Sequence, residues 1–230
     1  MSARHDVVSL VDVDNTLLDN DAVALDLRRH LEATLGVAPS ARYWAIFEQL
    51  RTEIGYADYL GALQRFRLEH PDEPRVLEVS LFLVDYPFAG RLYPGALRVI
   101  AKLRERGPVV IFSDGDAVFQ PRKVFRAGLW DAVGGHVLIY VHKEQMLDDV
   151  ERRYPAAHYM VVDDKLRILT AIKSIWRERV TTVFPRQGHY ALDPAEVAKY
   201  PAADVSIDRI SDLAHSGPAG PGTGPGNRVS

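Results

Sequence analysis

Residues 9–19 read SLVDVDNTLLD. They end an apolar, β-branched run, VVSLVDV at 7–13, of the length and composition of a buried strand. The run delivers two carboxylates, Asp12 and Asp14, one residue apart at its exit. Like charges that close repel each other, and burial raises the cost of ionising either one. A soluble chain keeps such a pair where a cation compensates it, or where the two acids do different work. The partner groups have to be sought further along the chain.

Downstream, strand-like runs recur: VVIFSD at 109–114, HVLIYV at 136–141, YMVVDD at 159–164, RVTTVF at 179–184 and a short ADVSI at 203–207. Between them lie helical patterns: one through Leu97, Ile100 and Leu103, then others near 123–127, 144–153 and 166–176. Strands alternating with helices predict a parallel sheet with right-handed crossovers. Residues 20–90 interrupt the alternation. There Asn20 is placed to cap a helix ending near Gly36, with Val23, Leu27, Leu31 and Leu35 on one face. Helices over 42–54 and from about Tyr56 follow, HPDEP at 70–74 breaks the third, and VLEVSLFLVDYPF at 76–88 suits a helix in its first half. The expected fold class is α/β, a Rossmann-like three-layer sandwich with a mainly parallel sheet. The core is expected from residues 1–19 and 91–214, with an inserted α-helical cap over 20–90. The Gly/Pro-rich end, SGPAGPGTGPGNRVS, cannot bury a core, so 215–230 reads as a disordered tail.

Composition narrows the function classes. With 28 basic and 31 acidic residues the net charge is −3, which supports no grip on nucleic acid or on an anionic membrane. The absence of cysteine excludes disulfides, thiolate catalysis and Cys-ligated metals. No stretch approaches the roughly 20 apolar residues of a membrane span, and the N-terminus lacks signal-peptide features. A cytoplasmic protein with a small-molecule partner is the expectation.

In an open parallel sheet, ligands bind beyond the carboxyl ends of the strands, near the switch in strand order. The strand exits carry Asp12, Asp14 and Thr16; Ser113, Asp114 and Asp116; His142, Lys143 and Glu144; Asp163, Asp164 and Lys165; and Arg186, His189 and Tyr190. Four carboxylates on two exits, with a hydroxyl and a lysine, form a coherent set. A divalent cation would remove their mutual repulsion, and Mg²⁺ suits oxygen ligands combined with a substrate phosphate. No His/Cys cluster competes for a softer metal.

In order and spacing, DVDNT at 12–16, Ser113 after its apolar strand, Lys143 and the Asp163–Asp164 pair resemble the four motifs of the haloacid dehalogenase-like (HAD) hydrolase superfamily. The resemblance runs over about 7–207, with the insertion where that superfamily places a type-1 helical cap. RLYPGALRVIAKLRERG at 91–107 looks like the return from cap to core. The resemblance implies that Asp12 is a nucleophile forming an aspartyl-phosphate, and that Asp14 is the general acid and then the base. It implies Mg²⁺ held by Asp12, the backbone carbonyl of Asp14 and Asp164, with Asp163 on metal-bound waters; the roles of Asp163 and Asp164 could be exchanged. Ser113 and Lys143 would hold phosphoryl oxygens, and Thr16 would order the turn after the nucleophile.

Other residues carry plainer expectations. Lys123, a rival to Lys143, sits in the basic run RKVFR and reads as part of a solvated face. Asp114 and Asp116 read as turn residues, and PRQGHY at 185–190 as surface loop. The aromatics Trp44, Phe47, Tyr56, Tyr59 and Phe66 read as packing within the cap. The function implied is a Mg²⁺-dependent phosphohydrolase acting on a small phosphorylated metabolite. A dehalogenase would need the nucleophile but neither a leaving-group acid nor Mg²⁺. A phosphomutase would use the same core. A phosphonate hydrolase would recruit a cap lysine, and residues 20–90 contain none. A catalytically silent phosphate-binding scaffold is the alternative outside enzymes.

Overall fold

The computed structural model describes residues 4–214; the tail expected at 215–230 lies outside the described residues. Six strands, β1 (His5–Val11), β2 (Val109–Asp114), β3 (Val137–Tyr140), β4 (Ala156–Val162), β5 (Val180–Pro185) and β6 (Val205–Ile207), form one sheet in the order β3-β2-β1-β4-β5-β6. All five pairings are parallel. Leu10 of β1 lies in register with Val110 on one side and Val161 on the other.

Parallel strands are covered on both faces, so their sequences are apolar throughout. Alternation along each strand divides the core in two. Val8, Leu10, Val110, Phe112 and Val161 face one layer, formed by α8 (Leu147–Arg153) and α9 (Leu166–Trp176). Trp176 of α9 stacks on Tyr159 of β4, centroids 4.1 Å apart. Val11, Ile111, Val162 and Val183 face the other layer, with α5 (Ala96–Arg104), α6 (Phe119–Arg126) and α7 (Leu129–Ala132).

Four helices stand between β1 and α5: α1 (Asn20–Leu35), α2 (Val37–Ile54), α3 (Tyr59–Glu69) and α4 (Val76–Asp85). The N-cap of α1 is Asp19, not Asn20: the Asp19 carboxylate accepts from the Ala22 amide at 2.9 Å. Asn20 is already helical, and its side chain is used elsewhere. α2 starts earlier than its apolar stripe suggests, because Gly36, at φ 103°, turns the chain from one helix into the next within a single residue. The ambiguous stretch at 76–88 is a helix that buries Val76, Val79 and Leu83. It stops at Tyr86, which Pro87 forces into an extended conformation. The buried faces of these helices join the α5–α7 side of the core, where Phe119 at the start of α6 meets Tyr59 and Phe88.

The topology places the site. From β1 the sheet grows through β2 to the β3 edge, then resumes at β4 on β1's other flank. The strand order therefore switches between β1 and β4, and the crevice beyond their exits is the expected ligand position.

The sheet centre carries the stability. Leu10→Ala, at a fully buried position, is expected to lower unfolding free energy by about 2–5 kcal/mol. Leu97→Ala, on an exposed part of α5, should stay within about 0.5 kcal/mol of the parent. Urea denaturation followed by circular dichroism measures both.

Candidate active site

The chain leaves β1 through a tight turn. Asp12 is held in line by its amide, which donates to the Val162 carbonyl at 3.0 Å. Val13 is fully buried, and its carbonyl accepts from the amides of both Leu17 and Leu18 at 2.9 Å. The turn needs a left-handed residue, and Asn15 supplies it at φ 58°, a conformation asparagine tolerates better than most. The Asn15 side chain accepts from the amides of Asn20 and Asp21 and donates to the Asp21 carboxylate, which fastens the turn to the start of α1. Thr16, fully buried, accepts from the Asp164 amide at 3.1 Å and ties the turn to the exit of β4.

This brings three carboxylates together. Asp12, Asp163 and Asp164 are all buried, with an oxygen from each within 4.8 Å of the others. The Lys143 ammonium lies among them, 2.6 Å from Asp12 Oδ1, 2.6 Å from Asp163 Oδ2 and 3.0 Å from the Phe112 carbonyl. Burial alone would lower the Lys143 pKa, but Asp12, Asp163 and Asp114 together drive it far up, so the group is charged. The Asp114 carboxylate also accepts from the Lys143 amide at 2.7 Å, which seats the lysine. Asp163 and Asp164 are pushed upward, first by burial and then by the neighbouring carboxylates, with Lys143 and Lys165 opposing. Both carboxylate oxygens of Asp164 are buried without a hydrogen-bond partner. An all-carboxylate oxygen set with an orphaned member suits a hard divalent cation.

Asp14 is placed apart from that cluster. Its carboxylate is gripped by Lys123 Nζ at 2.7 and 2.9 Å and touched by Gln120 Nε2 at 3.3 Å. Gln120 Nε2 also donates to Ser113 Oγ at 2.9 Å, linking the acid to the β2 exit. Lys123 donates further to Asn20, whose amide donates to the Tyr59 hydroxyl.

The solvated-face reading of Lys123 is therefore overturned: the side chain is 1% exposed. α6 is amphipathic, with Phe119, Gln120, Lys123 and Val124 turned inward and Phe125 and Arg126 outward. The i, i+4 pairs Phe119–Lys123 and Gln120–Val124 were the signal available in the sequence. Asp116 behaves as a turn residue, accepting from the amides of Val118 and Phe119 at the head of α6.

Beyond these groups a cavity of about 790 Å³ opens between α1–α3 and the sheet. Phe47 and Tyr59 are buried and stacked at 4.8 Å, so they pack as expected, yet both also line the cavity with Trp44 and Tyr56. Phe66 is purely buried in the helical layer. The stretch at 185–190 is not merely surface loop. Gly188–Leu192 forms a short helix, α10, whose Tyr190 faces the cavity and accepts from Arg51 of α2. Its first glycine, at φ 72°, packs so closely on Asn15 that an added Cβ would lie 2.4 Å from the Asn15 Cβ. His189 Nδ1 lies 2.6 Å from Asp21. Arg186 does stay at the surface, paired with Asp208.

Removing the central cation should expose what it neutralises. Lys143→Met leaves Asp12 and Asp163 buried without their partner and is expected to cost about 3–5 kcal/mol of stability in metal-free buffer. Urea denaturation in EDTA reads this.

The model of the haloacid dehalogenase-like hydrolase family matches residues 8–175 of the chain. A crystal structure from Burkholderia xenovorans LB400, described as a haloacid dehalogenase-like hydrolase, is 63% identical and superposes with a TM-score of 0.90, covering 93% of this chain and 100% of that one. The magnesium-bound HAD-hydrolase YfnB of Bacillus subtilis is 17% identical, with a TM-score of 0.60 over 93% of this chain and 98% of its own. L-2-haloacid dehalogenase of Xanthobacter autotrophicus is 18% identical, with a TM-score of 0.60 over 90% and 96%. The latter two share the fold. No curated protein matches the chain.

Proposed function

Because the chain belongs to the haloacid dehalogenase-like hydrolase family, the open choice is which bond it hydrolyses, and we propose a Mg²⁺-dependent phosphohydrolase that cleaves a small phosphorylated metabolite. The observation that carries this reading is Asp164, a buried carboxylate with two unpartnered oxygens beside Asp12 and Asp163. Displacement of a halide needs no such cation site and no proton donor two residues beyond the nucleophile.

In this reading Asp12 and Asp164, with the Asp14 carbonyl, would hold Mg²⁺ and Asp163 its bound waters; the cation would offset the negative charge of the phosphoryl oxygens. Lys143 holds Asp12 Oδ1, which leaves Oδ2 to attack phosphorus. As that bond forms, the bond to the leaving oxygen breaks, and Asp14 gives that oxygen a proton. The Asp14 carboxylate then takes a proton from the water that attacks the aspartyl-phosphate, releasing phosphate and restoring Asp12. Lys123 and Gln120 keep Asp14 oriented through both steps. The Ser113 hydroxyl, now on the Asp114 carbonyl at 3.3 Å, turns to a phosphoryl oxygen. The helical layer over the strand exits limits bulk water during the reaction.

Two measurements test this. A generic aryl phosphate should turn over with Mg²⁺, EDTA should suppress the rate, and Asp12→Asn should lower kcat by about 10³-fold or more. Metal-independent halide release from a 2-haloacid, without phosphate release from any ester, would replace this reading with a dehalogenase. Separately, Mg²⁺ should raise the melting temperature of the parent but not of Asp164→Asn. Without metal, Asp164→Asn should be no less stable than the parent, because it replaces a buried acid whose two oxygens have no hydrogen-bond partner. A Mg²⁺ response preserved in Asp164→Asn would move the cation elsewhere.

A further inference from the structure

The charged side chains around the cavity are almost all committed to a protein partner. Asp14 is held by Lys123 at 2.7 Å, Asp21 by His189 at 2.6 Å, and Glu48 by Arg51 at 2.7 Å. Arg167 is paired with Glu144 at 2.7 Å and Glu196 with Lys199. Two remain, and they are consecutive in the chain: Asp164 and Lys165. Asp164 has no hydrogen bond to either oxygen. The Lys165 ammonium has neither a hydrogen bond nor an ion pair among the described residues; its recorded side-chain contact is with the ring of Tyr190, 5.2 Å away. The two attract each other but share neither a hydrogen bond nor a close ion pair. Lys165 is extended, at φ −110° and ψ 107°, and successive side chains on extended backbone diverge. Its amide is meanwhile fixed on Asp163 Oδ1 at 2.8 Å.

Lys143, the lysine expected to hold substrate, is in the opposite condition. Its ammonium already has three protein oxygens within 3.0 Å. It donates to Asp12 and to the Phe112 carbonyl and is ion-paired with Asp163, so of its three N–H groups two are hydrogen-bonded and the third faces a carboxylate. The Lys165 ammonium has no hydrogen bond to give up.

We propose that Lys165 is the cation that binds an anionic oxygen of the substrate, with Tyr190 as the platform that holds its side chain toward the cavity. The inference rests on the phosphohydrolase reading and assigns within it a group that reading left unused. Asp164 and Lys165 then form one ligand-binding pair: the acid waits for a cation and the lysine for an anion. The anionic oxygen belongs either to the phosphoryl group itself or to a carboxylate elsewhere on the same substrate.

The test uses the full chain with Mg²⁺ and compares Lys165→Met and Lys165→Arg with the parent. Calorimetry with inorganic phosphate measures binding without turnover. Kinetics on a phosphorylated hydroxy acid and on the phosphorylated alcohol of the same length measure selectivity. If Lys165 holds the phosphoryl group, Lys165→Met weakens phosphate binding by about 10- to 100-fold, Lys165→Arg restores most of it, and KM moves more than kcat. If it holds a distant carboxylate, phosphate binding is unchanged and the Met variant loses the preference for the hydroxy acid. Unchanged phosphate affinity with unchanged preference, in a Met variant that melts like the parent, overturns the inference. Should the Met variant not fold, Lys165→Gln is read in the same way. A parent that binds phosphate but hydrolyses no ester fails the parent reading alone, since the Lys165 comparison still reads on binding. A parent that does neither overturns both.

Discussion

The ammonium of Lys143 is the point on which the rest of the site depends. It joins Asp12 at the exit of β1, Asp163 at the exit of β4 and the Phe112 carbonyl of β2, all within 3.0 Å. One charge thus links the exits of three strands that are distant in sequence and paired in the sheet. A buried ion pair adds little stability over a well-packed apolar substitute, whereas losing one partner is severe. The group is therefore better understood as a device for position than for stability. It holds one oxygen of Asp12 and leaves the other available, and it does so in a place where the acids would otherwise drive each other toward neutrality.

The second constraint is the turn at Asn15–Thr16. A strand continuing straight from Asp12 would carry Asp14 on the same face as Asp12, one pleat further along the chain. The left-handed residue, the Val13 carbonyl that accepts from Thr16, Leu17 and Leu18, and the Thr16–Asp164 link bend the chain instead. Asp12 stays with the carboxylate cluster, and Asp14 is handed to Lys123 and Gln120 on α6. The two acids that open the sequence puzzle are separated by environment: one belongs to a charge cluster, the other to a lysine.

Much of this was legible in the sequence because it is encoded locally. Apolar runs of strand length ending in acids or a hydroxyl gave the strands and their exits, and alternation gave the parallel sheet. Asp12, Ser113, Lys143, Asp163 and Asp164 could be singled out because each follows such a run. Lys123 was undervalued, since the basic run RKVFR suggests a solvated helix, and its place on the Phe119–Lys123 face does not by itself name Asp14 as its partner. Tyr190 was equally hidden. Its role depends on Gly188 packing against Asn15, more than 170 positions earlier, a contact with no local signature. The N-cap of α1 was misplaced by one residue because Asp19 and Asn20 are both good caps; the choice was settled by Asn20's tertiary use in binding Lys123.

That use of Asn20 links the helical layer to the chemistry. Lys123 holds Asp14 and Asn20 at once, and Asn20 reaches the Tyr59 hydroxyl on α3. On the far side of the cavity, Arg51 of α2 reaches Tyr190. At the end of α2, Gly55 lies so close to His142 that a Cβ there would sit 2.5 Å from the imidazole. The contacts between α1–α3 and the sheet thus include polar ones around the cavity, made by residues that also touch the acid or the substrate space. Parting the helices from the sheet would break the Lys123–Asn20 and Arg51–Tyr190 hydrogen bonds, whereas the bonds from Lys123 and Gln120 to Asp14 are made from α6. Lys123 is the residue shared between the two: from α6 it holds Asp14 in place and at the same time anchors Asn20 at the start of α1.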